Sequence, residues 1–511
     1  MRDHPDLLNP ATRLRLTLAA ATAACALSAA AAEPPAVPEA AQVAPAAAAS
    51  ATDAYSGFRR EFDAARYDAA IPYAERVLQL AEQSAPSPTD ETVQVALMNL
   101  GMTQNLANDY VAAESTYLRA IDLVQRSGRP LHARLARAYA GLATAYHEGN
   151  RHDLAVASFD QAIALTRRHD GLLTEQQVPL LEQYIDSLTE LGRYEDAVKV
   201  QRYLLRIATR KHGADSIELV PRLEQIGRWY ASVGAYDASR RTLKHAIDIA
   251  ESAAGEDAPQ LVGPLLALAM CNRRQMLDPA QQAAGPDGEN NLAFANPDST
   301  NLQFGLTPRM MASEGEAALL RAVTITQKMP APTPALIATV RVQLGDWYQL
   351  RGQPERALPH YIEGLRAAAR ITERTGGKTY VEALFDAPVL LHIVRPDGWN
   401  RYAQRPAAEI EVRNVVVDAE VSAQGRVVAT TLVDDAGDVK RGEKTTMALG
   451  TARYRPRFQD GQPAATPGVR FTQPWILLLP PPAKQDVAPL ADEPQSTPAP
   501  EATPVPATPQ P

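Results

Sequence analysis

Few residues of this 511-residue chain stand at spacings that could perform a reaction. His147-Glu148-Gly149-Asn150-Arg151-His152 comes nearest to a metal-binding pair. Its histidines are five residues apart instead of four, so on a helix they diverge by about 140° and cannot share one ion. The Gly and Asn between them mark a turn. Gly376-Gly377-Lys378-Thr379 ends like a phosphate-binding loop, but Thr372 stands where the first glycine is required, and a helical pattern precedes it where a strand is needed. Two cysteines, Cys25 and Cys271, support neither a disulfide framework nor a cysteine-based zinc site. No Ser/His/Asp or Cys/His arrangement emerges, and the carboxylates scatter over helix surfaces. The sequence predicts no catalytic residue, no cofactor and no metal.

Composition narrows the partners. Lys+Arg total 51 and Asp+Glu 59, a net charge of −8, which argues against a nucleic acid, since affinity there rests on cations neutralising phosphates. Residues 1–32 read as an export signal. Arg13 and Arg15 precede an uncharged stretch from Leu16, and Ala30-Ala31-Ala32 offers a small-residue cleavage site. The other readings of this segment are a retained inner-membrane anchor and a lipoprotein modified at Cys25, and membrane contact is expected only if the N-terminal segment is retained. Residues 33–53 form an Ala/Pro-rich linker, and 481–511 a Pro-rich tail with too little apolar surface to order itself. After cleavage Cys271 is the remaining thiol, and a buried apolar position is expected for it.

The middle of the chain repeats. Leu100-Gly101, Leu142-Ala143, Tyr184-Ile185, Ile226-Gly227 and Leu268-Ala269 follow one another at steps of 42 residues. Twelve residues on from the small position come Ala113, Ala155, Ala197 and Ser239, then Tyr117, Phe159, Gln201 and Leu243, then Ala120, Ala162, Leu204 and Ala246. A last copy lies at Leu344-Gly345, Tyr348, Ala357, Tyr361 and Gly364, and a degenerate first one at Phe58, Ala70, Ala74 and Val77. Such spacing predicts helical hairpins, in which a small residue on the first helix admits a large one from the second. Turns are expected at Leu106–Tyr110, Glu148–Arg151, Leu191–Tyr194 and Val233–Tyr236. The copy beginning at Leu268-Ala269 is interrupted by a polar insertion at 278–309, with helical register resuming at 314–327.

This pattern resembles the tetratricopeptide repeat (TPR) family, carried by Gly101/Ala113/Tyr117/Ala120, Ala143/Tyr146/Ala155/Phe159/Ala162, Gly227/Tyr230/Leu243/Ala246 and Gly345/Tyr348/Ala357/Tyr361. The resemblance covers residues 54–376. It implies a mainly α chain, an α-solenoid of about seven hairpins whose concave face is lined by the first helix of each pair. Residues one and four places after the small position should line that face: Met102, Asn105, Thr144, His147, Asp186, Thr189, Arg228, Met270, Arg273, Asp346 and Gln349. The set mixes both signs of charge, which suits a protein or peptide partner.

Beyond residue 376 the period changes. Residues 388–395 read as a strand, and Ile410–Val421 with Arg426–Val433 as a hairpin turning at Ser422–Gly425. A short helix is expected over 438–451, then Arg453–Phe458, an Asp460-Gly461 turn, and a last strand over 469–479 with an edge or a bulge at Pro474. This 377–480 segment resembles the C-terminal domain of TonB, the periplasmic energy transducer of Gram-negative bacteria. The resemblance rests on Val415–Val421, Gly425-Arg426-Val427 and Tyr454-Arg455-Pro456-Arg457-Phe458 followed by Asp460-Gly461-Gln462-Pro463. The Tyr-Pro motif and the adjoining Pro-rich linker usual in that family are missing. The resemblance implies a small α+β domain able to take a partner strand at a sheet edge. The expectation for the whole chain is a non-enzymatic, exported, periplasmic interaction scaffold. A membrane-anchored TonB-like transducer and a cell-envelope enzyme are the alternatives.

Overall fold

The computed structural model describes residues 50–87, 90–128, 133–278, 307–375, 377–402 and 405–479. The expected signal, the lipoprotein site at Cys25, the tail and most of the linker and of the insertion lie outside the described residues. Among the described residues, seven helical hairpins succeed one another. They are α1 (Ala51–Asp63) with α2 (Tyr67–Ser84), α3 (Glu91–Leu106) with α4 (Tyr110–Arg126), α5 (Ala133–Glu148) with α6 (His152–Asp170), and α7 (Val178–Glu190) with α8 (Tyr194–His212). Then come α9 (Val220–Ser232) with α10 (Tyr236–Ala254), α11 (Val262–Leu277) with α12 (Pro308–Lys328), and α13 (Pro334–Leu350) with α14 (Pro354–Ala368).

Size complementarity closes the hairpins. The position that repeats as small on the first helix faces the position sixteen residues later on the second: a methyl group added at Gly101 would stand 2.9 Å from the Tyr117 ring, one at Gly227 2.5 Å from Leu243, and one at Gly345 2.5 Å from Tyr361. Side chains have room to interdigitate only because one partner has none. In the first hairpin the sizes are exchanged, with Phe58 and Ala74 both buried. In the fourth the pair is Ile185 and Gln201. There the repeat is faintest, and the buried Gln201 Oε1 lacks a partner among the described residues.

The turns fall where expected. One residue in each takes the left-handed conformation, and the series Asn108, Asn150, Gly192, Gly234 and Gly352 is drawn from the types that adopt it at low cost. Adjacent hairpins are clamped by a recurring trio. Tyr146 donates to Glu114 at 2.9 Å while Arg151 pairs with the same carboxylate at 2.7 Å; Tyr348 and Arg356 treat Glu316 alike, at 3.1 and 2.8 Å. Cys271 is fully buried, as expected. Helix α12 starts at Pro308, six residues before the expected resumption at 314. Thr307 caps it, accepting from the Met310 N–H, and Pro308 sits in the first turn, where its missing donor costs nothing.

After α14 come a small hairpin, β1 (Arg374–Thr375) with β2 (Lys378–Thr379), and the one-turn helix α15 (Tyr380–Phe385). The C-terminal region adds β3 (Val389–His392), β4 (Ile410–Val421), β5 (Val427–Asp434), α16 (Val439–Gly450), β6 (Arg453–Arg455), β7 (Arg457–Gln459), β8 (Gln462–Ala464) and β9 (Thr466–Leu478). Its main sheet is antiparallel with the order β5-β4-β9. Alternate β4 residues Val415, Val417, Ala419 and Val421 are buried in one core with Leu449 of α16, Phe471 and Trp475. Pro474 lies in the edge strand β9, where a missing ladder donor is tolerated. β3 pairs with β6 instead of joining this sheet.

Candidate protein-binding groove

The first helices of successive hairpins meet along a polar ladder, and most of the expected groove residues belong to it. Asn105 donates to the Gly141 carbonyl at 2.9 Å, and Thr144 to Gln183 at 2.8 Å. His147 Nδ1 lies 2.9 Å from Ser187 Oγ, and Trp229 donates to Thr189 at 2.9 Å. Arg228 pairs with Glu224 at 2.7 Å and reaches the Met270 sulfur at 3.9 Å; Arg273 donates to Gln343 at 3.4 Å. Met102 is half-buried in the same stripe.

The sequence reading found both sides of the Arg228–Met270 rung and only one side of the others. The residues it missed are Gln183, Ser187, Trp229 and Gln343. They stand two places before or after the small position of the next helix, an adjoining stripe that successive hairpins present because they are rotated against each other. Polar residues 39–40 apart mark Gln183, Ser187 and Trp229, whereas Gln343 stands 70 residues from Arg273, beyond the insertion, and falls outside that spacing.

Charge changes along the groove. Asp186 reaches water, yet desolvation by the surrounding protein, with the charges of Glu182, Glu190 and Glu148, pushes its carboxyl up to about 6. Beside it, burial and the neighbouring His152 lower His147 to about 4, so the imidazole is neutral at neutral pH. Further on the sign reverses at Arg228, Arg273 and Arg274. Burial lowers the pKa of the last two.

Asp346 and Gln349 correct the expectation of a groove open to its end. Both are 2 % exposed, because the C-terminal region occupies this site. Arg455 gives Asp346 two parallel hydrogen bonds, Nε at 2.9 Å and Nη2 at 2.8 Å, and donates a third to the Leu384 carbonyl at 2.9 Å. Burial alone would lower the Arg455 guanidinium, but the charge and hydrogen bonds of Asp346 outweigh it and raise its pKa. Tyr361, fixed against Gly345, donates to Asp346 at 3.0 Å. Gln349 donates to the Gln424 carbonyl. Phe458 packs edge-on against Phe385 and Tyr361, at ring distances of 5.2 and 5.9 Å. Gly425, at φ +71°, is needed here: a methyl group would stand 2.0 Å from the Tyr454 carbonyl oxygen.

The described residues hold no cluster of three or more His, Cys, Asp or Glu side chains able to bind a metal. None of the described helices is long and apolar enough to cross a membrane.

Residues 91–168 and 178–252 match the tetratricopeptide repeat family. No curated protein sequence matches this chain. Among solved structures, the chain is similar to the nearly identical TPR-like repeats of a putative kinesin light chain from Podosopora anserina (13% identity, 40% of this chain and 96% of that one, TM-score 0.36). It is also similar to the apo form of the quorum sensor NprR from B. thuringiensis (14%, 62% and 88%, TM-score 0.31). A third is the TPR2AB domain of yeast Sti1 in complex with an HSP90 peptide (13%, 63% and 91%, TM-score 0.22).

Proposed function

Starting from the tetratricopeptide repeats at 91–168 and 178–252, arrays of which generally mediate protein–protein interactions, we propose that this chain is an exported periplasmic scaffold that binds a protein or peptide partner. The observation that carries the reading is the ladder-lined groove from Met102 to Arg273. It is continuous, polar and partly solvated, and it ends where the chain's own Arg455 begins. Its acidic stretch around Asp186 and its basic stretch around Arg228 suit an extended segment carrying both signs of charge, with electrostatics setting register.

The C-terminal region is a second, TonB-like docking module in this proposal. β5 is an edge strand, and Val428 and Val433 on it are exposed, so main-chain hydrogen bonds are open to an added strand. Export rests on Arg13, Arg15 and the apolar run from Leu16. The repeat fold is typically a non-catalytic scaffold, in keeping with the absence of a catalytic constellation in the sequence.

Photo-cross-linking from His147 and Arg228 in intact cells, compared with cross-linking from Val428, tests the groove against the edge. A partner captured from the first pair and lost in Arg228→Glu supports the groove. Capture only from Val428 moves recognition to the sheet. Mass spectrometry of the mature N-terminus separates the cleaved form, starting near Glu33, from a membrane-anchored transducer that keeps Met1.

A further inference from the structure

The last hairpin already holds an occupant, and the chain itself supplies it. Asp346 stands one place after the small position Gly345, and Arg455 of β6 lies on it through two parallel hydrogen bonds, at 2.9 and 2.8 Å. Both side chains are 2 % exposed. The planar fork of a guanidinium matches both oxygens of a carboxylate, which a lysine ammonium cannot do. The groove face of a hairpin thus accepts an arginine presented from a strand, and the position after the small residue receives it.

Asp186 is the other acid at that place in the repeat, one residue after Ile185. Its side chain is exposed, yet everything that acts on its carboxyl disfavours the charge: desolvation first, then Glu182, Glu190 and Glu148. No cation or hydrogen-bond donor among the described residues offsets them. Glu182 is held by Arg222 of α9 at 2.7 Å, and His147 beside Asp186 is neutral at neutral pH. The first helices on either side, α5 and α9, are described throughout, so this is the lining of the groove itself. A carboxylate that water reaches but protein largely surrounds lies on a concave floor, where the field of like charges is focused on an incoming cation.

We propose that Asp186 is an arginine seat: the extended segment bound in the groove lays a guanidinium on its carboxylate, as Arg455 does on Asp346. The proposal rests on the groove as the binding surface and adds the contact that fixes the segment's register. Arg228 occupies the same place on the next hairpin, so a slip of one hairpin would set arginine against arginine. Glu190 and Glu148 repel a segment that offers an acid to this seat.

Fluorescence anisotropy on the full chain tests this, with a capped, labelled peptide of residues 452–460 and a second peptide carrying lysine at each of its arginines. The chain's own Arg455 fills the seat at Asp346, so the peptide reads the open one. The arginine peptide should bind about tenfold or more tighter than the lysine peptide. Asp186→Asn is nearly isosteric and relieves like-charge repulsion, so it should fold, and it should weaken the arginine peptide about tenfold. Glu195→Gln removes the same charge from an exposed position on α8 and should leave binding unchanged. No saturable binding, equal affinity for the two peptides, undiminished binding to Asp186→Asn, or an equal loss in Glu195→Gln overturns the arginine seat. A partner still cross-linked from His147 and Arg228 in Asp186→Asn keeps the groove and overturns the seat alone.

Discussion

Position 346 and position 186 occupy the same place in the repeat, one residue after the small position, yet they have opposite fates. Asp186 stands in an open part of the groove, accessible to water, with its proton affinity raised by crowding and by three neighbouring carboxylates. Asp346 is sealed beneath Arg455 and Tyr361. Thr189 and Gln349 contrast in the same way: the first accepts from the next hairpin, while the second donates to Gln424 of the C-terminal region. The repeat sets the direction in which a side chain points. What it meets there is set by whatever packs on that hairpin, and only the last hairpin has a different kind of neighbour.

The largest effect that would break this contrast is expected at the sealed end. Asp346→Ala leaves Arg455 buried without a counter-charge and should cost about 3–5 kcal/mol in chemical denaturation. Replacing both partners, as Asp346→Leu with Arg455→Met, should restore most of that stability. Gly345→Ala is next. Its methyl group meets Tyr361, which is held by Asp346 and cannot withdraw, so a loss of about 1–3 kcal/mol is expected. Gly101→Ala meets the Tyr117 ring less closely, at 2.9 Å, and should cost less in the same assay.

The open end is sharpened by pH. His147 lies below its ordinary 6.5 in the folded chain, so the unfolded chain takes up the proton first and stability falls as pH drops from about 6.5 to about 4. Asp186 lies above its ordinary 3.8, so the folded chain takes up that proton first and stability rises as pH drops from about 6 to about 4. The two slopes oppose each other. Melting curves should show that His147→Asn is relatively better at pH 5 than at pH 7, by about 1–2 kcal/mol, and that Asp186→Asn loses its advantage over the parent on the same change. The smallest effect is expected in the fourth hairpin, where Gln201→Leu removes an unpartnered buried oxygen and should stabilise by about 1 kcal/mol.

The hairpins were legible because a close helix contact imposes residue size at a fixed interval, and Gly101, Ala143, Gly227 and Gly345 with their partners repeat that interval. The turn at Asn150 was legible for a similar reason, since few residue types tolerate its backbone. The start of α12 was also written in the chain, as Thr307 before Pro308, a cap-and-proline pair that the polar run ahead of it masks. The fate of Asp346 was not legible. It depends on Arg455, which lies 109 residues further along the chain, and no local pattern links an acidic groove position to an arginine in a later strand. The ladder was half legible: Asn105, Thr144, His147 and Thr189 were found, but their partners fall on an adjoining stripe two places from the small position of the next hairpin.

A double-mutant cycle on Asp346 and Arg455, read by chemical denaturation of the full chain, measures whether the C-terminal region locks into the last groove position. Single changes to alanine that each cost several kcal/mol and a coupling of about 3 kcal/mol or more are expected. Additive losses, with coupling under about 0.5 kcal/mol, would mean that the two side chains do not meet and that the groove is open to its end.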